Sequence, residues 1–247
     1  MKAILKNTKK MILTSALLLM ITAGAQAQLN WKGEITLTDG QNVTQNVTLT
    51  GDMTVNVPTG ATATISGNIV GNYQLTKGQG GTLILTNDNP NLKGFLLILS
   101  GVLQVGNGTS GGIWNVSKVH VSFYDVLRFM PGSDMDFSRL IEGEGNVEYK
   151  GANGKLLYLT ANNTYTGTTT VLEGGALCIG NNTTTGSIAG DIVIDKTSGW
   201  VDFRRSDNYT YSGVISGAGN ISKYNANKLT LTGVNTYTGG THIGDGI

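Results

Sequence analysis

Three stretches of this chain repeat one another, and that repetition limits the folds open to it more than any other feature. Leu83-Ile84-Leu85-Thr86 is followed by Asn89 and Gly94. Leu157-Tyr158-Leu159-Thr160 is followed by Asn163-Thr164-Tyr165-Thr166-Gly167, and Leu229-Thr230-Leu231-Thr232 by Asn235-Thr236-Tyr237-Thr238-Gly239. Leu83, Leu157 and Leu229 thus recur at a near-constant interval of about 73 residues. The match extends upstream, where Ile65-Ser66-Gly67 aligns with Ile141-Glu142-Gly143 and Ile215-Ser216-Gly217, and Gly145-Asn146-Val147 with Gly219-Asn220-Ile221. Downstream, Gly101 to Gly106 aligns with Gly175 to Gly180. Repeated units that cannot each close a core bury their apolar faces on one another, which makes a stacked solenoid the expected architecture.

The pattern inside the unit selects β-structure. Leu-x-Leu alternation has the period of a strand, which points Leu83 and Leu85 inward and Ile84, Tyr158 and Thr230 outward. Charged residues are only 13% of the chain, Gly numbers 36 and Pro 3, so short β-branched strands joined by glycine-bearing turns are expected rather than helices or disorder. The unit divides into about three coils of roughly 24 residues each. That predicts about nine coils, a rod of about 40 Å at the strand spacing of a sheet. Gly at the corners accepts left-handed backbone angles, and Asn89, Asn163 and Asn235 are candidate corner residues whose amides bond to turn backbone or to each other.

Residues 1–27 read as a secretory signal. Lys2, Lys6, Lys9 and Lys10 precede an apolar stretch from Met11 to Thr22, and Ala25-Gln26-Ala27 supplies the cleavage pattern, so the mature chain starts at Gln28. The apolar run is too short to span a bilayer, and the mature chain has no transmembrane segment. Without those four lysines the chain keeps 13 basic against 16 acidic residues, a net of −3 that argues against nucleic acid as a partner. Cys178 is the single cysteine, so no intrachain disulfide forms. Residues 28–50 are assigned to an N-terminal cap or a first coil, and 51–247 to the repeats. The third copy stops at Ile247 within its second strand, and the expectation is a fragment or one of a set of chains that assemble.

The stretch from Ser212 to Ile221 and the run from Leu229 to Thr241 resemble the autotransporter-associated β-strand repeat of bacterial passenger domains. The resemblance covers 141–180 and 212–247 closely and 65–106 more loosely, where Pro90, Asn91 and Leu92 interrupt the motif. It implies a right-handed parallel β-helix, export to the surface of a Gram-negative cell with an outer-membrane translocator elsewhere, and roles in adhesion or passenger secretion. It implies no catalytic residues.

The repeat is its own control for functional residues, because a residue that serves the coil has a similar residue one unit away. His242 aligns with Thr170 and Leu97, and His120 with Val193, both at outward positions. With two histidines and no ligand cluster, zinc is not expected. The best carboxylate pair is Asp134 and Asp136 with Arg139 nearby, which would suit a cation or an acid–base site on a polysaccharide; the plainer reading is a polar turn after Pro131-Gly132. Gly244-Asp245-Gly246 faintly resembles a calcium repeat but occurs once. Arg204-Arg205 is assigned to a solvated loop, and Cys178, aligned with Gln104, is expected to point outward. Tyr158, Tyr165 and Tyr237 would stack on sugars if they share a face. Triplets such as Asn42-Val43-Thr44 follow from composition. The expectation is a structural stalk or adhesin scaffold that needs no cofactor and no metal and takes glycans or surface proteins as partners. The alternatives are a glycan-binding module and a polysaccharide-degrading β-helix enzyme, and no catalytic residue is assigned.

Overall fold

The computed structural model describes residues 28–111, 115–151 and 154–247. The signal sequence expected over residues 1–27 lies outside the described residues. Those residues contain no α-helix, and every strand pair is parallel. The strands stack into sheets of seven, nine and six strands, with a two-stranded sheet formed by Tyr209–Tyr211 and Leu229–Leu231. In the nine-stranded sheet each strand pairs with its counterpart one coil later, from Asn42–Val43 to Ile215–Gly217. Thr238 then donates its N–H to Gly217 O, which carries the stack to a tenth turn. Nine spacings of about 4.8 Å make a rod about 43 Å long. The segment Leu29–Thr36 pairs with Val47–Asn56, so residues before Gly51 join the same stack.

Alternation builds the interior. Along Thr82–Leu85 and Leu156–Leu159 every second residue is buried, and Ile84 and Tyr158 face out. Leu83, Leu103, Leu127 and Val147 lie in register as one interior column. Burying a side chain of this size contributes about 1.5–3 kcal/mol, so a column repeated coil after coil supplies most of the drive to stack. Phe129 and Phe137 meet edge to face at 5.0 Å inside the same core.

The coils are shorter than the sequence division suggests, and the difference changes how the copies are arranged. Counterparts in the nine-stranded sheet are 20 residues apart in Leu83↔Leu103 and Leu127↔Val147, and only Leu103↔Leu127 between them reaches 24. Three coils from Leu83 end at Val147, and Leu157 falls on the next strand, in the six-stranded sheet. Three coils from Leu157 end at Ile221, and Leu229 again falls on the next strand, in the two-stranded sheet. Each unit therefore holds three coils and one further strand. Successive copies rotate by one face, so Leu157 stacks on Leu177 and not on the equivalent leucine of another copy.

Corners show what the recurring Asn and Gly do. Asn89, Asn163 and Asn235 each accept, through Oδ1, the backbone N–H of Ile69, Ile141 and Ile215 in the preceding coil at 2.6, 2.9 and 2.8 Å. They bond to main chain and sit on different faces, so they form no ladder with one another. The same contact corrects the first copy's alignment: Ile69-Val70-Gly71, not Ile65-Ser66-Gly67, is the equivalent of Ile141-Glu142-Gly143. Gly94, Gly167 and Gly239 recur for a reason other than left-handed backbone. A Cβ at these positions would lie 1.7 Å from Tyr73 O, 2.1 Å from Gly145 O and 2.2 Å from Gly219 O. Close approach of the preceding coil excludes any side chain there.

Candidate functional site on the six-stranded face

The outer face of the six-stranded sheet carries the most varied set of side chains. One outward row runs in register as Asp136, Tyr158, Cys178, Asp202, Ser222 and His242. A second row holds Leu156, Ala176, Trp200 and Asn220. Small residues at Gly175, Ala176, Ser198 and Ser222 leave a groove of about 540 Å3, walled by Trp200, Arg204 and Tyr224.

Arg204 organises this groove. Its guanidinium bonds Asp202 Oδ2 at 2.9 and 3.2 Å and lies 4.1 Å from the Tyr224 ring centre and 5.9 Å from that of Tyr158. Arg204 belongs to the strand Gly199–Arg205, so the adjacent arginines are not a solvated loop. Arg205 is buried and donates to Gly186 O, Thr184 O and both oxygens of Asp207. Strand alternation hides this from a reader of charge alone: Val201, Phe203 and Arg205 turn inward while Trp200 and Arg204 turn out.

Cys178 faces outward as its alternation requires, yet it is buried. It lies between Tyr158 and Asp202 in register, with Sγ 3.9 Å from Asp202 Oδ2. Burial, and then the neighbouring Asp202 carboxylate, pushes its thiol pKa up, so it is a poor nucleophile. Its aligned partner Gln104 is buried in the same way.

Asp134 and Asp136, the carboxylate pair weighed against a polar turn, serve different contacts: Asp134 lies at the corner and Asp136 on the strand Met135–Phe137. Asp134 accepts the N–H of Leu156 at 3.0 Å, a corner contact to the next coil. Asp136 accepts from Thr160 Oγ1 at 2.7 Å and Asn181 Nδ2 at 3.3 Å, beside a polar hollow of about 530 Å3 lined with threonines. Arg139 bonds Asn115 instead, at 2.7 Å. His120 stands 3.6 Å from Glu142, whose carboxyl is held below its usual range first by its hydrogen bond to Lys118. His242 and Asp202 are two strands apart, about 10 Å, beyond proton-transfer reach. Among the described residues no group of three or more His, Cys, Asp or Glu side chains is placed to hold a metal. Asp245 instead offers its backbone carbonyl to Lys223 Nζ at 3.0 Å.

The tyrosines divide. Tyr165 is fully buried with its hydroxyl 2.6 Å from Thr169 Oγ1, and Tyr237 repeats that corner bond to Thr241 at 2.7 Å. Of these three only Tyr158 reaches the outer face, where it joins Trp200 and Tyr224. Those two escape sequence reasoning, although Trp200, Asp202 and Arg204 alternate with apolar residues and so announce a strand with a large outward set.

Residues 156–179 and 221–247 match the passenger-associated-transport-repeat family. A 61-residue stretch is 54% identical to the adhesin BmaC autotransporter of Brucella suis biovar 1 (strain 1330). That match spans 25% of this chain and 2% of the adhesin's length. No solved structure matches. The two family segments each begin on the six-stranded sheet, and the motif leucines Leu157 and Leu229 occupy neighbouring faces of the rod.

Proposed function

We propose that this chain, which carries autotransporter passenger repeats, is a stretch of an exported rod that holds adhesive surfaces away from a Gram-negative cell and performs no chemistry itself. The translocator belongs elsewhere in the system; no described helix is long and apolar enough to cross a membrane. One observation carries the reading. Asp134 and Arg205 are committed to joining coils, Asp134 through Leu156 N–H and Arg205 through the Gly186 and Thr184 carbonyls. A rod whose polar groups are spent on its own backbone is suited to bear load and display surface.

A second reading, glycan binding, is favoured by the groove at Trp200. An aromatic wall beside Ser222, Arg204 and His242 offers an apolar plane and hydrogen-bond partners together, the pairing that orients polar ligands in a cleft. Screening the exported chain against immobilised glycans, with the supernatant assayed for released sugar, tests both. Saturable binding without release supports an adhesive rod, and loss of that binding in Trp200→Ala places it in the groove. Released sugar would overturn the non-catalytic reading.

A further inference from the structure

The turn Ser122-Phe123-Tyr124-Asp125, between the strands Lys118–Val121 and Val126–Phe129, breaks the rules that govern its neighbours. Phe123 is 59% exposed and Tyr124 80%, and their ring centres lie 3.9 Å apart. Tyr124 has φ of +67°. At the same place ahead of their own strands, Gly40, Gly60 and Gly154 take this left-handed backbone too, at +71°, +83° and +71°. Left-handed backbone is uncommon outside glycine and unfavourable for a bulky L-residue. Here a large aromatic residue occupies a glycine position and covers almost nothing.

The repeat supplies a control. The matching turn of the next copy reads Asp195-Lys196-Thr197-Ser198, and the corner one coil earlier reads Leu99-Ser100-Gly101. Coil closure therefore does not require the aromatic pair. Strained, solvent-facing residues of this kind persist where they serve a site.

What surrounds the rings indicates the ligand. By the strand register, Leu99 lies beside Phe123 one coil back, and Glu144 then Thr166 follow Tyr124 one and two coils on. Tyr124, Glu144, Asn146, Thr166 and Thr168 line a hollow of about 410 Å3. The hollow crosses two coil spacings, about 10 Å. Flat apolar ring faces at one end and a carboxylate with two hydroxyls along the track fit the C–H face and hydroxyl edge of a short sugar chain. The Glu144 carboxylate disfavours acidic sugars. We propose that this corner is a second saccharide-binding site, independent of the Trp200 groove, selective for neutral or amino-sugar oligosaccharides.

The test is calorimetric titration of the exported chain with chitotetraose and cellotetraose. Binding of at least one is expected, weakened at least tenfold in Phe123→Ser and Tyr124→Gly and unchanged in Trp200→Ala. The Tyr124→Gly protein should melt at or above the temperature of the parent, because glycine suits the backbone there. Failure of both sugars to bind, or binding indifferent to Tyr124→Gly, would overturn the proposal, as would a large loss of stability in that variant. Release of smaller sugars would instead strike at the non-catalytic reading and leave the site standing.

Discussion

The corner at Asn163 and the corner at Tyr124 lie in the same rod and obey opposite rules. Asn163 is buried, recurs as Asn89 and Asn235, and links three successive coils through Ile141 N–H, Ala161 O and Ser187 O. Tyr124 is exposed, has no aromatic counterpart in the next copy, and sits in backbone that glycine prefers. Residues that recur from copy to copy carry the coil, and a residue that departs from the pattern at a conformational cost is a candidate for function. The repeat thereby separates architecture from recognition without any second sequence.

Gly94→Ala tests the recurring side of this comparison most severely. Its Cβ would collide with the Tyr73 backbone, and we expect a loss of about 3 kcal/mol, read by chemical denaturation. Asn163→Ala should lose about 2–3 kcal/mol, because it strands the buried N–H of Ile141 and removes the side-chain donor shared by Ala161 O and Ser187 O. An effect under about 0.5 kcal/mol, the level of an ordinary surface change, would mean that the recurrence is not structural. Tyr124→Gly should go the other way, with a gain of up to about 1 kcal/mol; a comparable loss would place Tyr124 with the architecture.

A pH-dependent test concerns Lys77, an inward residue whose Nζ donates to Gly78 O, Gln79 O and Ser100 O at 3.0, 2.6 and 2.8 Å. Burial lowers its pKa to about 8, against an opposing pull from Asp125. Below that value Lys77 is charged in folded and unfolded chains alike. Above it the unfolded chain holds a proton that the folded chain has released, so stability rises with pH. Melts between about pH 8 and 9.5 should show this rise in the parent and not in Lys77→Met. An identical slope in both proteins would assign the rise to other groups.

Tyr158 and Cys178 show how far alternation reaches. Alternation alone places Tyr158 on the outer face, because which side of a strand a residue takes depends only on its neighbours in the chain. The same logic puts Cys178 on the correct side, yet the thiol is covered, because Tyr158 one coil behind and Asp202 one coil ahead flank it. Arg205 reads as loop from its charge, which outweighs the alternation of Val201, Phe203 and Arg205 that turns it inward. The groove at Trp200 is out of reach for a related cause: it exists only where small residues of several strands align.

By itself the sequence determined an all-β chain, its inward and outward residues, and a repeated unit that must stack, because alternation and repetition are properties of the chain read in order. The tertiary structure decided which face each copy occupies. Three coils carry the chain only from Leu83 to Val147, or from Leu157 to Ile221, short of the next copy at Leu157 or Leu229, so every copy advances by one strand. That mismatch between coil length and repeat length turns one motif through successive faces. It also sets which outward side chains meet across coils to form a groove, and which, like Tyr124, are left facing solvent.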